Sequence, residues 1–212
     1  MLNRAVLLCL APLLTAAPAA MASSNQEKIR NDKVVVTEVS LPPGDAVSLT
    51  GKNASIVVFL DAGTAAFIAP DGSPRKEAVE RGQTLALETP GESIRNSGSQ
   101  TLSLVRVEFL TAGLEETWGM AGLSPHYTMI LENQYARAYN IKIPAQAFEP
   151  QHTHHDRVVI CLSGAELEHI QPDGTKQAST LKTGEIAWRL GATHIGHNMG
   201  HTDLWVIAIE PK

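Results

Sequence analysis

Cysteine is almost absent from this chain, which has one at position 9 and one at position 161. Cys9 lies inside an N-terminal apolar run, so the body of the protein keeps a single thiol and must stand without an internal disulfide. Basic clusters are missing as well. Lys and Arg number 17 against 22 Asp and Glu, for a formal net charge of −5, and nothing supplies the concentrated positive face that binds a nucleic-acid backbone. Beyond the first residues, no apolar stretch approaches the ~20 residues of a membrane-spanning helix. Histidine is missing from the whole first half: all eight lie between 126 and 201.

The N-terminal residues carry Arg4, an apolar run from Ala5 to about Leu14, and small residues ending in Ala20-Met21-Ala22. That order reads as a secretory signal peptide over 1–22, too short in its apolar part to anchor the chain. Cys9 within the run, rather than after it, does not fit a lipoprotein. The expectation is a periplasmic or secreted protein, with no membrane association after cleavage. About 190 residues then remain, enough for a core that needs no metal to hold it together.

Sliding the sequence against itself exposes a gapless match at an offset of 102 residues. Asn31 falls on Asn133, Pro42 on Pro144, Pro70-Asp71-Gly72 on Pro172-Asp173-Gly174, Gly82 on Gly184, Asn96 on Asn198 and Glu108 on Glu210. Turn glycines and prolines that keep their spacing this far indicate a duplicated unit. The division is a flexible leader at 23–30, a first copy at 31–110, a connector at 111–132 and a second copy at 133–212. Within each copy, short segments rich in Val, Ile, Leu and Thr alternate with turn signals. Lys33–Leu41, Ser55–Leu60, Gln83–Leu87 and Leu102–Phe109 read as strands, as do their partners in the second copy. Such spacing predicts an all-β sandwich or barrel. Copies of about 80 residues should pack on each other or oligomerise to complete their cores.

His152-Thr153-His154 is an H-x-H pair at strand spacing, so both imidazoles leave the same face of a strand. His194 follows a second strand, Gly184–Arg189, after a turn at Gly191. Three imidazoles converging from these segments would form an open metal site. From Pro150 through His152, His154 and Gly164, and from Gly184 through Gly191 and His194 to Asn198, the second copy resembles the two motifs of the cupin family. The resemblance implies a bicupin: two tandem double-stranded β-helix, or jelly-roll, barrels.

The sequence departs from the family pattern at three points. Gln146 stands where the first motif opens with glycine. Counting back from Gly164, the family's ligand glutamate falls on Arg157, which cannot bind a cation. Arg189 replaces the proline of the second motif. Either Asp156 turns in as a fourth ligand, or His152, His154 and His194 carry the metal alone. Alternation from His154 puts Asp156 inside; register from Gly164 puts Arg157 there. An inward Arg157 would offer a forked donor to a carboxylate substrate. In the first copy the matching positions are Thr50, Lys52 and Glu92, a set without histidine, which points to a structural, metal-free barrel.

The remaining histidines have plainer readings: His155 and His197 of opposite parity to the proposed ligands, His201 and His169 solvated, and His126 within reach of either barrel. Trp188 and Cys161 read as core, and Asn198 as a hydrogen-bonding element of the fold. The site suits one divalent transition metal, Fe, Mn, Ni, Cu or Zn. The expected function is a dioxygenase-like enzyme acting on a small organic acid, with Asp156 and Arg157 as the catalytic candidates. A non-catalytic metal- or ligand-binding protein is the alternative. The cupin resemblance further implies a homo-oligomer.

Overall fold

The computed structural model describes residues 22–48, 53–87, 91–111 and 124–212. The first copy has nine strands: β1 (Ser24–Arg30), β2 (Val34–Leu41), β3 (Ala46–Ser48), β4 (Ser55–Phe59), β5 (Gly63–Ile68), β6 (Pro74–Val79), β7 (Thr84–Leu87), β8 (Ser93–Asn96) and β9 (Leu102–Phe109). The second has nine more: β10 (Tyr127–Glu132), β11 (Ala136–Ile143), β12 (Phe148–His154), β13 (Arg157–Ser163), β14 (Ala165–Ile170), β15 (Lys176–Leu181), β16 (Ile186–Arg189), β17 (Ala192–Asn198) and β18 (Leu204–Pro211). Among the described residues no helix interrupts them.

Each copy folds into a five-stranded and a four-stranded antiparallel sheet with one topology. The first has orders β1-β2-β9-β4-β7 and β3-β8-β5-β6; the second has β10-β11-β18-β13-β16 and β12-β17-β14-β15. The duplication reaches fine detail. The register shift between Glu27 and Ile29 recurs between Met129 and Leu131. Asn96 donates to Leu41 O and Gln100 O while Asn198 donates to Ile143 O and Thr202 O. Asn198 is thus the fold-building residue its position suggested.

Two boundaries differ from the sequence reading. The stretch 23–30 is not a free leader: β1 pairs along β2 at the edge of the first copy's larger sheet. The end of the connector is likewise strand β10, paired with β11. Both were obscured because most of their side chains are exposed, polar and charged on β1 and largely apolar on β10, since an edge strand buries little. The segment 1–21, most of the expected signal peptide, lies outside the described residues.

The five-stranded sheets are apolar on both faces. Val39, Leu41, Val57, Phe59 and Leu104 fill the first barrel, and Tyr139, Ile141, Val159, Cys161, Val206 and Ala208 fill the second. The opposite parity of the same strands forms a third cluster shared by the copies, with Val36, Ile56, Val58, Val105 and Val107 against Ala138, Val158, Ile160, Ile207 and Ile209. Trp188 packs at its margin, as core. The two copies therefore complete one another's hydrophobic burial, face to face.

Candidate metal centre

One strand from each of the two motifs places the three histidines by pairing. On β12 and β17, His152 lies opposite His194, with His154 one rung further on. All three are buried, with relative exposures of 2, 4 and 7%, and one nitrogen from each lies within 4.8 Å of the others. Nδ1 of His152 is 2.8 Å from Pro150 O. An N–H donated there fixes the tautomer and leaves Nε2 as a free lone pair. Nε2 of His152 and Nε2 of His154 are 2.9 Å apart, close to the ~3.0 Å chord of two ~2.1 Å metal–nitrogen bonds at right angles.

Electrostatics agree with this arrangement. Burial, reinforced by the positive charge of Arg157 and by neighbouring histidines, lowers the pKa of His154 strongly. Burial and the adjacent His169 bring His194 down to about 3. Both rings are neutral near pH 7, as ligation requires. Three buried imidazoles fit a divalent transition metal with coordination positions left open.

The cluster opens into a cavity of about 320 Å³, lined by Ile141, Ile143, Val159, Leu204 and Val206 on its apolar wall and by Gln171, Gln177, Ser179 and Arg189 among its polar residues. Arg157 lines it too. The turn between β12 and β13 explains why: strand parity restarts at residue 157, so register from Gly164 holds and alternation from His154 does not. Nη1 of Arg157 donates to His155 O at 3.2 Å, and no ion pair holds the guanidinium among the described residues. Asp156 is elsewhere. Its Oδ1 accepts from Gly191 N at 2.8 Å and its Oδ2 stands 3.9 Å from Lys33 of the first copy. It does not join the cluster that His152, His154 and His194 form among the described residues.

Three cavity residues escaped the sequence reading. Tyr127, assigned to the connector, places its hydroxyl 3.3 Å from Nε2 of His154; burial and the charge of Glu149 raise its pKa well above 10, keeping it a phenol. His169, read as solvated, lies with its ring centroid 4.6 Å from that of His194. It shares parity with buried Leu167 on β14, a signal present in the sequence. Glu149, raised by burial, is the third. Of the others, His197 stacks on Phe148 with centroids 3.7 Å apart, His201 is exposed, and Cys161 is a core thiol pushed up to about 11 by burial.

In the first barrel, Thr50 and Lys52 lie outside the described residues. Nearby, Arg106 and Glu108 form an ion pair, with Ser55 bonded to Arg106 and Asn53 to Glu108. Glu210 is the counterpart of Glu108, but position 208, the counterpart of Arg106, is Ala.

No protein-family model and no curated protein sequence matches the chain. Solved structures do. AerE from Microcystis aeruginosa aligns over 92% of this chain and 95% of its own, at 14% identity and a TM-score of 0.64. A Cupin 2 conserved barrel domain protein from Leptotrichia buccalis aligns over 94% and 93%, at 14% identity and 0.55. This chain has the cupin fold, twice. A variant of Bacillus subtilis oxalate decarboxylase aligns over 94% of this chain and 79% of its own, at 11% identity and 0.57, and Mn(II) centres are described in that decarboxylase. In this pair of cupin barrels, the three-histidine cluster belongs to the second.

Proposed function

We propose that the second barrel is the mononuclear metal centre of a dioxygenase-like enzyme that acts on a small organic acid outside the cytoplasm. One observation carries this reading: three buried imidazoles converge beside a cavity whose wall also holds an arginine free of ion pairs among the described residues. His152, His154 and His194 would hold the ion, which supplies Lewis acidity and, if redox-active, reactivity toward oxygen.

The protein's own contribution is binding and orientation. Arg157 presents a planar fork suited to a carboxylate. Tyr127 brings a hydroxyl that stays protonated to within 3.3 Å of Nε2 of His154, beside the ligand nitrogens, and Ile141, Ile143 and Leu204 keep water from one side of the cavity. The Mn(II) and oxalate of the structurally similar decarboxylase support a divalent metal and a small carboxylate here. Export is supported by the pattern of residues 1–22.

The test is metal analysis of the purified protein followed by oxygen uptake and carbon dioxide release with a panel of small acids. About one metal per chain with oxygen-dependent turnover is the expected result. Carbon dioxide without oxygen uptake would replace the dioxygenase by a decarboxylase, and bound metal without any turnover would favour the binding protein. Cell fractionation and the mass of the mature chain check export and cleavage after Ala22.

A further inference from the structure

Glu149 lines the metal cavity and has a relative exposure of 4%, yet its Oε1 has no hydrogen-bond partner. The carboxylate's bond from the buried Ser124 hydroxyl therefore goes to Oε2. Its position depends on Gly196, which pairs with it across β17: a Cβ at 196 would stand 2.5 Å from Oε2. On the other side of Gly196, His169 occupies the same rung from β14. The space that a side chain at 196 would take is occupied by the Glu149 carboxylate, with the strand of His169 on the other side. A buried polar atom left unpaired costs roughly 1–3 kcal/mol, more when charged, and such atoms are few in native proteins. A donor brought by a ligand would remove that cost.

We infer that Glu149 sets the substrate class of this site: an organic acid that also carries a hydroxyl, with its carboxylate on Arg157 and its hydroxyl on Oε1 of Glu149. A hydroxyl both donates and accepts, so it satisfies this oxygen in either protonation state. A site built around a buried polar group rejects the analogue that lacks the matching group, because that analogue leaves the protein atom unpaired. The inference rests on the metal-and-carboxylate reading above and narrows it from organic acids to hydroxy acids.

The experiment is calorimetric titration of the full-length, metal-loaded protein with pairs of acids that differ by one hydroxyl, such as 2-hydroxybutyrate against butyrate and salicylate against benzoate. The wild type should prefer the hydroxylated member of at least one pair by about tenfold or more. In Glu149→Leu that preference should fall to within about threefold, with metal content and binding of the plain acid retained. Glu149→Gln, which keeps the shape, should fall between them and serves where the leucine variant does not fold. Equal binding of both members by the wild type overturns the inference and leaves the metal-and-carboxylate reading standing. Loss of bound metal from both variants also overturns it, since Glu149 would then be a ligand. Failure of the wild type to bind any acid, hydroxylated or not, removes the broader reading as well.

Discussion

Arg157 and Asp156 are neighbours in sequence with opposite fates, and the difference is testable. Arg157 faces the cavity and, among the described residues, donates to the carbonyls of His155 and Leu190. Arg157→Ala should weaken carboxylate binding about 10- to 100-fold, the value of a charge-assisted hydrogen bond. Bound metal should be unaltered, and calorimetry with elemental analysis reads both. His152→Ala, by contrast, should reduce metal from about one per chain to near none, because two imidazoles alone make a poor site. Protonation adds a further prediction. His154 is buried neutral, so below ~6.5 the unfolded chain binds a proton that the folded chain refuses. Its contribution is complete above that pH and is lost as pH falls, by up to ~1.4 kcal/mol per unit. Glu149 and Glu210, raised by burial, act in the opposite direction, so the clean measurement is a difference. Metal-free wild type should lose more stability than metal-free His154→Gln between pH 7 and 5.5, and parallel curves would reject the idea. The metal triad was legible because H-x-H has strand parity. Glu149 was not: the two residues between 149 and 152 face the single one between 196 and 194, and that bulge turns onto the inner face a side chain that alternation assigns outward.

At the scale of the element, the 102-residue repeat anticipated the pairing of strands, because identical turns force identical geometry. Gly72 and Gly82 have φ of 84° and 81°, and Gly174 and Gly184 have 84° and 83°. The instructive exception is Gly44, φ 87°, whose counterpart Gln146 holds φ 63° despite its side chain. Gln146 offsets the strain by donating through Nε2 to Met199 O at 2.7 Å and Gly200 O at 2.8 Å. It thereby ties the start of β12 to the end of β17, the two strands that carry the metal ligands. Gln146→Ala keeps the unfavourable backbone and loses both bonds, so it should destabilise the protein by about 1–2 kcal/mol in chemical denaturation. A neutral effect would show that the two bonds contribute nothing. The missed strands β1 and β10 have a different cause. Their side chains are mostly exposed, with only Ile29, Leu131 and Tyr127 packed on the cores, and hydrophobic alternation is nearly silent about a strand held mainly by its backbone ladder.

Across the whole molecule, the two copies differ in chemistry but not in mechanical role, since neither owns the cluster between them. Ile56 and Ile160 are each almost fully buried in it, one from each copy. The turn of the first copy reinforces the contact: Arg81 donates to Leu162 O, and a Cβ at Gly82 would meet Trp205 at 2.6 Å. A first barrel without histidines thus has a physical task, which is to cover the outer face of the sheet behind the metal site. Separate unfolding would expose this shared apolar face, so the chain should melt in one transition, with calorimetric and van't Hoff enthalpies in agreement. Ile56→Ala, in the first copy, should destabilise that single transition by the 2–5 kcal/mol typical of a core truncation. Conversely, Mn(II) at about 100 times its dissociation constant should add ~2.7 kcal/mol to the same transition, protecting a barrel that does not touch it. Two transitions, with metal moving only one and Ile56→Ala only the other, would mean that the barrels are joined in sequence but not in energy.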